Sequence, residues 1–383
     1  SAGDNPRASY FLNHPLVGGL IPTGADFRNL RNTINLFVTN LARGGVWIES
    51  SEYNIGTVKL LLIGVDIIRT ATGIAYFPEV TQQFISGVAL GQMHEFTPDL
   101  KDTHQFGDVE KPHAVTSWAF PKATLLGMMA GLTENDPNVG PYMQQLMDDW
   151  FAKYGYANWV TQPTGRFYLY YNPYAPRASY ANLKDFYAPG MGMMFTRTGW
   201  GSKDVFIGSH MNRPPGVDHP VPYFTDLVGY RNGEWFLSRP LGYVISAYAN
   251  NTVILGGRGS MSEAIGPVGQ ESGTGYTYHI GATAGNKGDN GDYIYHPSFV
   301  PTYVNEATRS LLYLPSADGR SVTIITFDRT NLKSGSKELL FHSPVAATVS
   351  GDAVSWRTAG GQNVRITTLS SSPLTWTVVL ASS

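Results

Sequence analysis

The residues Gly44-Gly45-Val46-Trp47-Ile48-Glu49-Ser50-Ser51-Glu52-Tyr53-Asn54 bring a tyrosine and two carboxylates, Glu49 and Glu52, to a point where one helical pattern stops and another starts. A Gly-Gly pair ends the first pattern, Ser50 or Ser51 can serve as N-cap, and the apolar run from Ile55 opens the next helix. Tyr53 then falls in the first turn, beside backbone N–H groups that lack helical partners. Such donors favour negative charge and would stabilise a phenolate or a bound sugar carboxylate. The same pattern also fits a tyrosine that merely covers the end of a helix.

The elements that must position this segment change character along the chain. From Asp26 to about Trp159 the spacing is helical: Phe27, Leu30, Ile34, Phe37, Val38 and Leu41 recur at steps of three and four, as do Val58, Leu61, Leu62, Val65 and Ile68. Further helices are expected at Glu79–Leu90, Val115–Gly131 and Pro141–Tyr154, separated by Pro, Gly and Asn. Short connections imply antiparallel neighbours, and the loops at one end of such an array could line a cleft. Residues 161–188 form a Tyr/Pro/Asn-rich connector without a sustained period. From residue 189 onward short alternating runs dominate: Met193–Thr198, Val205–Ser209, Asp226–Tyr230, Trp235–Ser238, Thr252–Leu255, Ser310–Leu314, Val322–Asp328, Ala346–Ser350 and Thr375–Ala381. Turn residues bound almost all of them, which indicates an antiparallel sandwich. Gly281–Gly291 reads as a flexible loop and not a phosphate cradle, because no helix follows it. The expected division is 1–160 helical, 161–188 connector and 189–383 sandwich.

Composition narrows the partners. A formal charge of −2 and the scarcity of Lys/Arg runs argue against nucleic acid or an anionic membrane, so any bound polyanion must be held by a few placed cations. Aromatic residues make up 13% of the chain, which suits stacking on sugar rings and a β-rich core alike. Without cysteine there are neither disulfides nor thiolate metal sites. The longest apolar run, Val58–Ile68, contains Lys59 and Asp66 and falls short of the ~20 residues that span a bilayer. Ser1-Ala2-Gly3-Asp4 would suit the start of a mature chain after cleavage, so a secreted or periplasmic location is expected.

Two stretches carry a family resemblance. Gly190-Met191-Gly192-Met193-Met194-Phe195-Thr196-Arg197-Thr198-Gly199-Trp200-Gly201, then His219, then Gly229-Tyr230-Arg231-Asn232-Gly233-Glu234-Trp235-Phe236-Leu237 with Gly242-Tyr243, resembles the start of the sandwich domain of heparinase II/III-like polysaccharide lyases, in the alginate/heparin lyase superfamily. Asn250-Asn251-Thr252-Val253 and Phe327-Asp328-Arg329 are similar to later strands of that domain, and Gly107-Asp108 to a Gly-Asp pair in the helical part. The Trp-Ile-Glu-Ser-Ser-Glu-Tyr segment lies where these lyases carry a catalytic tyrosine.

The resemblance implies an α+β multidomain chain, an α/α toroid of antiparallel helices followed by an antiparallel β-sandwich, that cuts an acidic polysaccharide by β-elimination. Such chemistry needs a neutralised uronate carboxylate, a base for C5–H and an acid for the leaving oxygen. Tyr53 is then the acid or base, with Glu49 and Glu52 to position it. Asn13 and His14 are the candidates for neutraliser and partner, although Pro15 follows them and a turn Asn with a surface His fits equally. His104 and His113, flanking Phe106-Gly107-Asp108, could face the cleft or be ordinary loop histidines, and Asp108 lies between them. Arg197, Arg213 and Arg231 could grip carboxylate or sulfate with two parallel bonds, or equally be surface strand residues.

The sequence departs from the family twice. Relatives often show His-x-His-x-Asp at the sandwich entrance and a later His, which together suit zinc. Here His219 keeps the first position while Val221, Tyr223 and Asn250 stand at the others. No cofactor is therefore required on this reading, and zinc or calcium would need His219 and Asp226, with Asp218 or His210, to rebuild a site. The helical part is also short for a complete toroid, which implies either a reduced toroid or an edge covered by an N-terminal fragment of the same precursor or a second copy of the chain. Two rivals stay open: a glycoside hydrolase pairing Glu49 or Glu52 with Asp108, and a non-catalytic glycan-binding protein.

Overall fold

The computed structural model describes residues 38–39, 42–47, 50–72, 78–107, 109, 115–155, 170–211, 225–239, 247–256, 260–261, 269–284, 287–288, 304–370 and 374–379. Among the described residues four helices come first: α1 Ser51–Thr72, α2 Pro78–His94, α3 Val115–Leu132 and α4 Gly140–Tyr154. Their ends lie within a few residues of the expected ones, because Ser, Pro and Gly set them. Ser50 is the N-cap of α1, its hydroxyl accepting the Tyr53 N–H at 3.2 Å, an arrangement worth ~1 kcal/mol. Pro141 opens α4, where its missing N–H costs nothing, and Gly155 closes it at φ +78°, giving its N–H to Phe151 O.

The helices share one apolar core. Val58 and Leu62 of α1, Val88 and Met93 of α2, Leu125, Leu126 and Met129 of α3, and Met143, Leu146 and Trp150 of α4 are all buried in it. The packing is close enough that Gly44 and Gly45, at φ +88° and +89°, have α2 directly against them: a Cβ on Gly87 would lie 3.0 Å from the Gly44 carbonyl carbon. The Gly-Gly pair thus does more than end a helix. It lets the chain entering α1 lie flat on α2. The helix expected over residues 27–41 falls almost wholly outside the described residues, and the four described helices are not seen to close a toroid.

The strands form antiparallel sheets. One has the order β1-β2-β3-β4-β5, with β1 Asp185–Ala188, β2 Met193–Arg197, β3 Val205–His210, β4 Asp226–Arg231 and β5 Glu234–Leu237. A second has the order β12-β11-β9-β8, with β8 Gly269–Gly273, β9 Tyr276–Ala284, β11 Val304–Pro315 and β12 Val322–Leu332. A third joins β14 Thr348–Ser350, β15 Ala353–Arg357 and β16 Asn363–Thr367. The short strands β6 Val253–Leu255 with β13 Lys337–Leu339, and β7 Ser260–Met261 with β10 Lys287–Gly288, pair on their own. Met194, Ile207 and Leu227 of the first sheet pack on Leu311 and Tyr313 of the second and on Val354 and Trp356 of the third, which makes the sandwich.

Strands β2 and β3 are buried at every position, so they lack the alternation of a one-sided sheet. Their other face meets the helical half through Met193, Phe195 and Phe206, packed with Val46 and Phe106. β12, with one face open, alternates cleanly along its whole length. Asn232 and Gly233, both at positive φ, make the tight β4–β5 turn.

Three expectations are corrected. The first sheet begins inside the expected connector, since β1 pairs with β2 from Asp185 onward. β9 runs to Ala284, into the stretch read as a loop. Of the strand expected at Thr375–Ala381, residues 375–379 are described and are irregular: Trp376 is tied by its indole to Asp352 O at 3.2 Å, while Val379 stays exposed without a partner strand among the described residues.

Candidate functional site

The first turn of α1, the segment 95–107 that follows α2, and strands β3 and β4 meet at the seam between the two halves. Tyr53 is the third residue of α1 and is half-buried, as is Glu52 beside it. Directly after it, Asn54 is fully buried, and neither atom of its side-chain amide has a hydrogen-bond partner. An amide left so is costly unless water or a ligand reaches it.

The helix end is not the open anion site that the sequence suggested. The Ser51 N–H is given to Phe106 O at 2.9 Å, the Tyr53 N–H to Ser50 Oγ and the Asn54 N–H to Ser50 O at 2.8 Å. Ser51 Oγ also receives the Phe106 N–H at 3.2 Å, so the turn carrying Tyr53 is bonded in both directions to the segment carrying His104. That segment folds back on itself, with the His104 N–H on Glu95 O at 2.7 Å.

His104 is not a solvated loop histidine. It is 1% exposed, lies edge-on to Phe195 with ring centroids 5.2 Å apart, and fills the notch left by Gly208. Burial, followed by the charges of Arg239, His210 and Lys122, holds its pKa well below the usual histidine value, so the ring is neutral at pH 7. Beneath it Lys122 of α3 and Glu95 form an ion pair at 2.6 Å, both side chains 1% exposed. Burial raises the Glu95 pKa and lowers that of Lys122, each opposed by the partner's charge.

The sandwich contributes a second buried pair. Arg239 bonds to Asp226 and, through its other nitrogen, to the main-chain carbonyl of Gln105. The second Asp226 oxygen takes the Asn251 N–H at 3.0 Å, and Asn250 Oδ1 stands 3.5 Å from Arg239. A guanidinium and an amide thus already engage the Asp226 carboxylate, while His219 and Asp218, two of the other candidates for a metal, lie outside the described residues. Among the described residues no group of three or more His, Asp or Glu side chains could hold a metal ion.

Arg197 is also placed differently from expectation. It is 1% exposed, donates to His94 O at 2.5 Å and Phe96 O at 3.1 Å, and lies 3.6 Å over the Trp200 ring, so it pins the end of α2 to β2 where no sugar reaches. Arg231 sits at the β4–β5 turn, bonded to Lys203 O at 3.0 Å and Gln362 Oε1 at 2.9 Å. Asn13, His14, Glu49, Asp108, His113, Arg213 and His219 lie outside the described residues. Of the candidates, Tyr53, Glu52, His104 and Asp226 gather at the seam. Sequence reasoning missed Asn54, Glu95, Lys122 and Arg239, although one lysine inside the apolar Val115–Leu132 helix was a usable signal.

Neither a protein-family model nor a curated protein matches the sequence. Solved structures do. A heparan sulfate lyase, HepC from Pedobacter heparinus, aligns with a TM-score of 0.60 at 13% identity, covering 90% of this chain and 49% of that one. A heparinase III with methylated lysines aligns at 0.57 and 13% identity, covering 88% and 47%, and a further heparinase III at 0.51 and 12%, covering 86% and 48%. The chain spans about half the length of these proteins. At such identity the likeness is one of fold, and this chain has, in part, the α+β fold of heparinase-like polysaccharide lyases.

Proposed function

We propose that this chain serves β-elimination of a uronic-acid polysaccharide outside the cytoplasm, in a secreted or periplasmic setting, with Tyr53 as the proton-transferring residue. The observation that carries the reading is Tyr53 itself, half-buried in a capped first turn that is bonded to the His104 segment, with the unpartnered amide of Asn54 behind it. The phenol can protonate the leaving glycosidic oxygen as the C5–H proton departs to a base and the C4–O bond breaks, leaving a C4–C5 double bond. The fold of the heparan sulfate lyases supports this class of chemistry. Candidates for neutraliser and base are Asn13, His14 and His113, with Arg213 for carboxylate contact; His104 stays beneath the seam as a neutral support.

We further propose that α1–α4 are part of a larger α/α toroid completed by other polypeptide, either an N-terminal fragment of the same precursor or a second copy. Gly56, Leu60 and Gly64 line one exposed face of α1; Leu60 is 65% exposed and nothing lies within 4 Å of where a Cβ would stand on either glycine. Among the described residues no helix is long and apolar enough to cross a membrane.

The deciding experiment incubates the chain with heparan sulfate and with alginate and follows ultraviolet absorbance, which only an unsaturated uronate product raises. Absorbing product from wild type and none from Tyr53→Phe is expected. Saturated reducing ends alone would favour the hydrolase, and binding without any product would favour the glycan-binding protein. Light scattering with intact mass tests the shared toroid, and a fully active monomer of 41.8 kDa would refute it.

A further inference from the structure

Residues 102–107 touch both halves of the molecule. Toward α1, Phe106 exchanges main-chain and hydroxyl hydrogen bonds with Ser51 at 2.9 and 3.2 Å. Toward the sandwich the segment is held by three contacts besides the packing of His104 and Phe106 on Phe195 and His210. Trp235 Nε1 donates to Asp102 Oδ2 at 2.9 Å, Arg239 donates to Gln105 O, and the His104 ring lies over Gly208, where a Cβ would stand 2.7 Å from Cδ2 and 3.1 Å from Nε2. Arg239 is itself fixed by Asp226. Gln105, Phe106, Ser51, Asp226 and Arg239 are all buried, so water cannot replace these bonds if one is lost.

We infer that Arg239 is a positioning residue for Tyr53: the path Asp226–Arg239–Gln105–Phe106–Ser51 is a strut through which the β-sandwich fixes the helix end that carries the tyrosine. Arginine suits the task because its planar fork reaches two acceptors in different directions, the Asp226 carboxylate and the Gln105 carbonyl. A lysine keeps the charge but, as a compact point donor, holds one of the two. Gly208 belongs to the same device, since any side chain there must push His104, and with it the 102–107 segment, away from β3. Displacing a reacting group by about 1 Å costs on the order of 100-fold in rate, so a strut of this kind governs turnover without touching substrate. The catalytic consequence rests on the role proposed for Tyr53; the mechanical link does not.

The test compares the full wild-type chain with Arg239→Lys and Gly208→Ala, by hydrogen exchange on peptides covering residues 50–55 and 104–107 and by steady-state kinetics on heparan sulfate and alginate. In both variants exchange in these two segments should rise at least ~10-fold while β11 and β12 stay as protected as before, and kcat should fall ~10-fold with KM within ~2-fold. Unchanged exchange at 50–55 in either folded variant would overturn the strut. So would a rise spread evenly over the whole sandwich, while a rise confined to the seam with kcat untouched would overturn the positioning role and leave the mechanical link standing. Should the wild type itself lack turnover, the lyase reading fails, and the exchange comparison still decides whether the sandwich holds the α1 end.

Discussion

The two faces of the β1–β5 sheet are built from different materials. The face toward the second sheet is mainly apolar, with Met194, Val205, Ile207 and Leu227 packed against Leu311, Tyr313 and Trp356, interrupted by Ser209 Oγ against His279 Nδ1 at 2.7 Å and Thr196 Oγ1 against Thr277 Oγ1 at 3.4 Å. The face toward the helices carries Arg197, His210 and Asp226 beside Phe195 and Phe206, and meets His104, Gln105 and Arg239. Burying apolar surface stabilises at roughly 25 cal/mol per Å². Burying paired charges returns little, because desolvation offsets most of the attraction. A protein that needed only to hold its halves together would have no use for the second face. Its polarity therefore points to a demand for defined geometry, at the place where the Tyr53 helix end is fixed.

The largest effect should come from breaking the deepest pair on the polar side. Lys122→Met leaves Glu95 buried and unpaired and should cost about 3–5 kcal/mol in urea unfolding, whereas Lys122→Met with Glu95→Gln should recover most of that loss. Equal losses in the single and the double variant would show that the pair contributes ordinary packing. Next comes Tyr53→Phe, with a rate loss of at least ~100-fold, equivalent to about 2.7 kcal/mol of barrier, and a melting temperature within ~2 °C of wild type. Near-normal turnover would remove the tyrosine from the chemistry and with it the reason for the polar face.

Acid should act on both faces through histidine. His94 and His104, and His279 on the far side of the sheet, are held below the ordinary histidine pKa of 6.5 by burial, His279 down to about 3. The unfolded chain binds more protons than the folded one wherever pH lies between the folded and unfolded values. The stability these groups contribute is thus complete above pH 6.5 and is lost progressively as pH falls below it. Thermal melts at pH 7 and 5 should differ by several degrees, and His279→Gln should flatten part of that slope. A melting temperature independent of pH over this range would mean that the histidines are not neutral in the fold.

How far this seam was legible in the sequence depends on the distance over which each signal acts. Helix ends are local: Ser50, Pro141 and Gly155 mark them within a turn, and the expected helices appear nearly in place. The alternation of β12 is local too. Glu95 and Lys122 are 27 positions apart, and Arg239 meets a carbonyl 134 positions away, so no spacing rule brings them together. Arg197 misled for the same reason. A guanidinium on a strand gives no hint whether it faces solvent or the end of a helix about a hundred residues earlier. The place of Tyr53 in a first turn is legible because its cap, its glycines and its helix are all within a few residues of it, while the groups that hold its helix end come from three separate parts of the chain.

The smallest effect belongs to the outer sheet, and it sharpens the comparison by supplying a surface that is neither core nor seam. Phe327 on β12 is 63% exposed and stands opposite Ser310, with Ile325 one step away on the same face at 49%. The inward side of that strand supplies Ile324 to the sandwich core and Asp328 to Arg309, at 2.6 Å, so register is fixed from within. Phe327→Thr keeps a β-branched residue that suits a pleated surface and removes only partly exposed area. Unfolding free energy should stay within about 0.5 kcal/mol and turnover within twofold. A larger loss in dilute solution that vanishes at high protein concentration would show that Phe327 packs against a second copy, and would move the covered edge of this molecule from the helices to the outer sheet.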